Sequence, residues 1–313
     1  MTVLLRDLRH DDPSDADAVA RVRRAALPFL ITTAAGVTFE AASAHPDRQL
    51  RVLVAEDSDG RVVGTAQVGV VHDSPEPGQA YVNAHVDPAH HGRGAGALLL
   101  RGAEEHLARH GAVDLYAWVL DEPYSRAFAE RHGYQPGRSA HFLRLDLAAA
   151  VLPALPEPLP EGVELLPGSA FAADPRPLFL ADSEATADEP GDVSIALDDY
   201  EDWLARTWNN PTLDKELTTV VLVGGEVAAF TAAQTDGAAR YGSAMTGTLR
   251  AFRGRGLAKL AKTASLHRAR AAGYTEAFTG NDAGNEPMLA VNDWFGYEIC
   301  ATETRYTRKL GTE

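Results

Sequence analysis

Cysteine occurs once in these 313 residues, at Cys300, so the chain can form neither an internal disulfide nor a multi-cysteine metal site, and no metal is expected. Cys300 stands between Tyr297-Glu298-Ile299 and a threonine-rich final run, without a His/Asp pattern that would activate a nucleophile. It is expected to be a small buried residue. Positive charge is also scarce: 29 Lys and Arg stand against 44 Asp and Glu, a formal net charge of −15. Such a surface repels nucleic acid phosphates, so the few arginines are expected to act locally on an anionic cofactor, while the excess acid either serves solubility or favours a cationic amine substrate. No apolar stretch approaches a membrane span, and MTVLLRDLRHDDPSD lacks the basic and apolar regions of a signal peptide. A cytoplasmic protein without a membrane partner is expected. Neither a GxxxxGK(S/T) phosphate loop nor a GxGxxG dinucleotide turn occurs, which argues against nucleotide hydrolysis and hydride transfer.

What the chain does contain is a glycine turn between a strand and a helix, and it contains it twice. In the second half, the β-type run Ser243 to Leu249 feeds Arg253-Gly254-Arg255-Gly256, and a helix rich in Ala, Leu and Lys follows from about Leu257. Glycines at Gly254 and Gly256 let the loop curl with positive φ and gather backbone N–H groups, and the helix start adds its own unpaired N–H groups and dipole. Arg253 and Arg255 add side-chain charge, so the turn suits a diphosphate. In the first half, His85 to His90 leads into His91-Gly92-Arg93-Gly94-Ala95-Gly96 and the helical run ALLLRGAEEHLARHG. Aligning Gly92 with Gly254 brings His132-Gly133-Tyr134 almost onto Phe295-Gly296-Tyr297. A repeat of roughly 160 residues has the size of a whole domain, so two copies of one domain are expected.

Each copy reads in the same order. The first has a strand over 3–8, a helix from about Asp15 stopped near Pro28, a helical piece over 39–47, and strands over 49–56 and 61–71 joined by Asp57-Ser58-Asp59-Gly60. The glycine-turn strand, the helix from about Gly94 to Arg109, a strand over 113–119, a helix over 126–132 and a strand over 141–146 complete it. Residues 148–161, AAAVLPALPEPLPE, are proline-rich and read as a semi-rigid linker. The second copy has a strand over 162–166, helices around 178–187 and 197–208, strands over 218–223 and 226–234, the strand and glycine turn described above, a helix to Ala272, a strand over 276–280, a helix over 286–294 and a strand over 302–309. The domains are therefore expected at 1–147 and 162–313.

The pattern Arg/Gln-x-x-Gly-x-Gly/Ala between a strand and a helix resembles the acyl-CoA signature of the GNAT N-acetyltransferase superfamily. Here it is spelled Arg253-x-x-Gly256-x-Ala258 and His91-x-x-Gly94-x-Gly96, with His in place of the usual Arg or Gln in the first copy. The run TGNDAGNEPMLAVNDWFGYE resembles the C-terminal half of actinobacterial tandem acetyltransferases, a group that includes mycothiol synthase. The resemblance spans nearly the whole chain. It implies an α+β fold, with two tandem copies of a mixed, mostly antiparallel sheet flanked by helices. It also implies transfer of an acetyl group from acetyl-CoA to a primary amine on a small molecule, without metal. Where the family carries a Tyr near the leaving thiolate, Asn292 stands in the second copy and Ala129 in the first.

The resemblance and the residues together nominate a site. Cofactor contacts are expected from Thr248, Leu249, Arg253, Gly254, Arg255, Gly256, Leu257 and Ala258, and from Val86, His91, Gly92, Arg93, Gly94, Ala95 and Gly96. A backbone N–H near Thr248-Leu249, or at Val86, is the natural oxyanion donor. Asn292 can offer an amide hydrogen to the thiolate but no proton, and its alternative is a bond to nearby backbone. Asn281 and Asn285 either hold the ligand or cap the next helix. His85 is a base or a structural histidine. Asp188, Glu189 and Asp192 recruit a cationic acceptor or form an exposed acidic loop. The second copy, with Arg253 and the Asn-rich run, is expected to be the catalytic one, while the intact first loop keeps the opposite assignment open. Two other functions stay open: a non-catalytic acyl-CoA-binding or sensing protein, and an acetyltransferase acting on protein lysines or N-termini.

Overall fold

In the computed structural model the described residues are 3–72, 74, 76–190 and 197–311. They fall into two compact units, Met1–Ala140 with Ala301–Glu313, and His141–Cys300.

In unit 1, β1 (Leu4–Asp7), β2 (Arg51–Glu56), β3 (Val62–Val70) and β4 (Gln79–Val86) are successively antiparallel, and β4 runs parallel to β5 (Asp114–Leu120). The β2–β3 turn forms as its sequence predicts: Asp57 Oδ1 accepts the N–H groups of Asp59 and Arg61, each at 3.0 Å, and Gly60 takes a positive φ. Helix α1 (Pro13–Ala26) starts at Asp12, whose side chain accepts from the Ser14 N–H, and packs Val19 and Val22 over Val52 and Val54 together with α2 (Ala34–Ala42). Helix α3 (Ala95–Arg109) buries Leu99, Ala103 and Leu107 in a second cluster with Val68, Val82 and Leu115. Helix α4 (Pro123–Arg131) follows β5.

Unit 2 repeats the plan. Strands β7 (Val163–Pro167), β8 (Leu213–Val223), β9 (Glu226–Thr235) and β10 (Arg240–Thr248) are antiparallel in sequence, and β10 is parallel to β11 (Glu276–Asp282). Helix α5 (Arg176–Ala187) and the short α6 (Tyr200–Trp203), continued by a π-type turn over Leu204–Trp208, pack Phe179, Trp203 and Trp208 against Val220. Helix α7 (Leu257–Ala271) and α8 (Glu286–Trp294) follow β10 and β11.

The unit borders differ from the division at 147 and 162 read in the sequence. The strand expected over 141–146 is the longer β6 (Gln135–Asp146); from His141 on it belongs to unit 2, where it lies beside β11, and Arg144 Nε bonds Glu276 at 2.8 Å. The strand expected to close the second copy is β12 (Glu298–Lys309), and its residues Glu303 to Lys309 pair antiparallel with Leu120 to Asp114 of β5 in unit 1. Alternation marks both segments as strands, but either open edge offers the same row of backbone donors and acceptors, so the sequence does not choose the partner. The proline-rich segment is anchored within unit 2: Leu152 is buried, the Pro153 carbonyl contacts His267 Nε2 at 2.8 Å, and the Ala150 carbonyl accepts from Arg270 Nη1 at 2.8 Å. Cys300 is exposed rather than buried, because β12 opens with three exposed residues, Glu298 to Cys300. Its Sγ bonds the Phe142 carbonyl at 3.3 Å and partial desolvation raises its pKa, the opposite of an activated nucleophile.

Candidate active site

Strands β10 and β11 begin as parallel neighbours and then part. Their pairing runs from Arg240 opposite Glu276 to Ser243 opposite Thr279 and stops there, while β10 continues to Thr248. The divergence coincides with a bulge: Ser243 faces Ala233 and Met245 faces Ala232, so Ala244 is an extra residue on β10. Beyond the bulge, Leu249 N–H donates to Ala228 of β9 at 3.0 Å. Alternation along the strand then directs the backbone groups of Thr248 and Thr246 to the opposite side, which β11 has left. This corrects one expectation. Leu249 spends its N–H on β9, and Thr248 and Thr246 carry the N–H groups on the open side.

A cavity of about 520 Å³ fills the gap. Its walls include Ser243 to Thr248, Thr279 to Asn281, Arg253, Gly254 and Gly256, and Leu257 to Lys259 at the start of α7. Gly254 and Gly256 have φ of 75° and 73°, and a Cβ built on either meets no atom within 4 Å, so their substitution is strained although the space around them is open. The first helical hydrogen bond of α7 runs from Leu260 N–H to Gly256, which leaves the N–H groups of Leu257, Ala258 and Lys259 ahead of the ladder. The loop therefore presents a helix start, two bare glycines and an arginine to one concavity, a set that fits a diphosphate. Leu249 and Arg255 lie outside this lining, and the Arg255 guanidinium sits over the Phe252 ring at 5.8 Å.

Arg253 is already engaged. Its Nε donates to the Thr248 carbonyl at 3.1 Å, and its guanidinium also pairs with Asp188, the residue after α5. Arg250 grips the same carboxylate through Nη2 at 2.6 Å and Nε at 2.9 Å. These bonds, Arg250 first and Arg253 second, pull the Asp188 pKa down to about 2. Glu184 of α5 accepts the Arg250 backbone N–H at 2.6 Å. The acidic end of α5 thus clasps the loop, and Asp188, Glu189 and Pro190 line the cavity. Asp192 lies outside the described residues.

The asparagines separate into distinct roles. Asn285 caps α8, its Oδ1 accepting from Met288 N–H at 3.3 Å. Asn281 stands on the cavity wall, and Asn285 borders the same cavity. Asn292 is fully buried, and its Nδ2 donates to Asn281 Oδ1 at 2.5 Å, while its Oδ1 accepts from Lys262 Nζ at 2.5 Å. Lys262 has no solvent exposure, and burial lowers its pKa from 10.5 to about 7. The sequence alone does not single out this lysine, because the run LAKLAK has the look of a solvated helix face. A signal is present, since Ala258, Ser265, Leu266 and Ala269 at i−4, i+3, i+4 and i+7 place it on the helix's small and apolar stripe.

Unit 1 carries the same turn in another state. Gly92 and Gly94 have φ of 74° and 89°, α3 begins at Ala95, and the β4–β5 pairing ends at Tyr81 opposite Tyr116. Asp87 N–H donates to Val63 of β3 at 2.9 Å, so the Val86 N–H faces the other side, as its nomination as a donor requires. His91 takes the structural place of Arg253, with Nε2 at 3.1 Å from the Val86 carbonyl. Its ring stacks on Tyr124 at 4.6 Å, and the Tyr124 hydroxyl accepts the Gly92 N–H at 2.9 Å. One loop donor is thus satisfied from within. His85 is held neutral, its pKa lowered to about 3 by burial and then by Arg23, which fits a structural histidine better than a base.

Comparison with known proteins adds four findings. The Acetyltransferase (GNAT) family profile matches residues 17–134. The chain is 30% identical over 266 residues to the mycothiol acetyltransferase of Clavibacter michiganensis subsp. michiganensis, covering 82% of this chain and 80% of that one. It is 28% identical to the mycothiol acetyltransferase of Rhodococcus jostii over 96% of both chains. Among solved structures, a tandem GNAT protein from the clavulanic acid biosynthesis pathway superposes over 100% of both chains with a TM-score of 0.71 at 21% identity, a likeness of fold.

Proposed function

Because this chain belongs to the GNAT family of acetyltransferases, we propose that it moves an acetyl group from acetyl-CoA directly to a primary amine on a small molecule, and that unit 2 houses the reaction. The observation that carries this reading is the cavity where β10 leaves β11, with an unpaired strand edge along one wall and the Gly254–Gly256 turn at its end. An extended chain bearing amides pairs with such an edge as an added strand, while its diphosphate takes the N–H groups of Leu257 and Ala258 and the charge of Arg253.

In this reading the thioester carbonyl lies by the Thr246 and Thr248 N–H groups, which stabilise the oxyanion as the amine attacks. The amine must arrive unprotonated or lose its proton to water in the cavity, and the carboxylates at the end of α5 favour the ammonium form on the way in. The departing sulfur meets the Asn281 amide, a donor that stabilises a thiolate without protonating it. Tyr124 over the Gly92 N–H supports a scaffold role for unit 1. A cytoplasmic location is proposed; among the described residues no helix is long and apolar enough to cross a membrane.

Free-thiol release from acetyl-CoA with a panel of amines tests the proposal, and amines related to mycothiol head the panel because relatives carry that name. Amine-dependent thiol release with a matching N-acetyl product is the expected outcome. Tight acetyl-CoA binding with no turnover on any amine refutes it and leaves a sensing role.

A further inference from the structure

The buried chain Lys262–Asn292–Asn281 has a direction that its end members impose. An ammonium has three donors and no acceptor, so the atom of Asn292 that meets Lys262 Nζ at 2.5 Å must be the carbonyl oxygen. The Asn292 amide nitrogen is then committed to Asn281, and the oxygen of Asn281 receives it at 2.5 Å. What Asn281 has left is its own NH₂, on a residue that lines the cavity and whose amide nitrogen makes no hydrogen bond to the described residues.

We propose that Lys262 is the positioning residue of the acyl-transfer site: it sets the orientation of both asparagines so that a polarised amide donor faces the sulfur leaving acetyl-CoA. The inference rests on the reading of unit 2 as that site. The buried lysine, as a hydrogen-bond donor, compensates for the missing acid. It polarises Asn292, which polarises Asn281, and each bond in such a chain strengthens the next. The carbon–sulfur bond breaks with its electron pair on sulfur, the thiolate is held by the Asn281 N–H, and its proton comes later from water.

Aromatic side chains share the core around Lys262. Its ammonium lies 4.8 Å from the centre of the Tyr297 ring beyond α8, and Tyr241 of β10 lies in the same core. Burial keeps both phenols neutral. On β8, which also packs on α7, Glu216 acts on Arg268, six residues along the helix from Lys262. Burial is the force that lowers the Lys262 pKa, and the neutral amine still donates an N–H to the Asn292 oxygen, so the order of the chain holds on both sides of that pKa.

The test reads the thiol of bound CoA by its ultraviolet thiolate absorbance across pH. All proteins carry Cys300→Ser, so that CoA supplies the one thiol. Lys262→Met and Asn281→Ala are each expected to raise the pKa of the bound thiol by about 1, a tenfold loss of thiolate. In the Asn281→Ala background, Lys262→Met is expected to add nothing, because the path between them is already cut. Met fills a volume like that of Lys without a charge, and Asn281→Ala leaves Lys262 in place, so the two variants break the chain at opposite ends. An unchanged thiol pKa in Lys262→Met, or an equal rise in both backgrounds, overturns the relay while leaving acetyl transfer in place. Failure of the wild type to bind CoA removes the acyl-transfer site itself, and the relay falls with it.

Discussion

Replacing Lys262 by Met changes stability by an amount that depends on pH, and the sign follows from the burial of the ammonium. The folded pKa of about 7 lies below the ordinary 10.5, so between these values the unfolded chain binds more protons than the folded one, and folding gains stability as pH rises. Stability associated with neutral Lys262 is fully present above 10.5 and is lost as pH falls towards and through 7. Below that, the penalty reaches roughly 5 kcal/mol, because each pH unit separating the folded and unfolded pKa values is worth about 1.4 kcal/mol. Between pH 7 and 9 the wild type is expected to gain about 2 kcal/mol relative to Lys262→Met, whose site does not titrate. Urea unfolding followed by tryptophan fluorescence is the assay. Trp203, Trp208 and Trp294 lie in unit 2 and Trp118 alone in unit 1, so the signal reports chiefly the unit in question. A stability difference that stays constant from pH 6 to pH 9 refutes a buried titrating lysine.

Three further outcomes are expected. Asp188→Ala releases Arg253 and Arg250 and removes a negative charge beside the loop, so acetyl-CoA affinity measured by calorimetry rises about two- to tenfold at low salt, with a smaller gain at high salt; a loss of affinity contradicts the clasp. Asn285→Ala removes the α8 cap and lowers unfolding free energy by about 1 kcal/mol with little change in turnover, checked by urea titration and thiol release. Gly247→Ala drives a Cβ to 2.6 Å from the Ala185 Cβ on the cavity wall and 2.9 Å from the Phe230 ring. It is expected to cost about 1–3 kcal/mol and to weaken acetyl-CoA binding, while unchanged stability means that α5 moves freely over β10.

Local chemistry made much of this legible in the sequence. The Asp57–Gly60 turn and the positive-φ glycines at Gly92, Gly94, Gly254 and Gly256 each follow from one or two residues, and the structure places them accordingly. The family and the repeated mixed sheet followed from the two glycine turns at matched positions. Pairing was not legible. Strand β12 shows its alternation in Glu303 to Lys309, but its hydrogen bonds to β5 depend on an edge almost two hundred residues away in the chain. The site was read to the same depth. The glycines and Thr248 were visible as a loop and a strand end, while the bulge at Ala244 that turns Thr246 and Thr248 towards the cavity leaves no mark in composition. Asn281 and Asn292 were visible as residues, but their mutual bond and their tie to Lys262 require α7, α8 and β11 to be packed together.

Calorimetric titration of acetyl-CoA into the wild type, Gly256→Glu and Gly94→Glu tests the central claim most directly. Each substitution places a bulky anion where the loop is open to a diphosphate. Binding by the wild type and by Gly94→Glu, together with its loss in Gly256→Glu, is the predicted result. Loss in Gly94→Glu with binding kept in Gly256→Glu moves the acetyl-CoA site to unit 1 and contradicts the account.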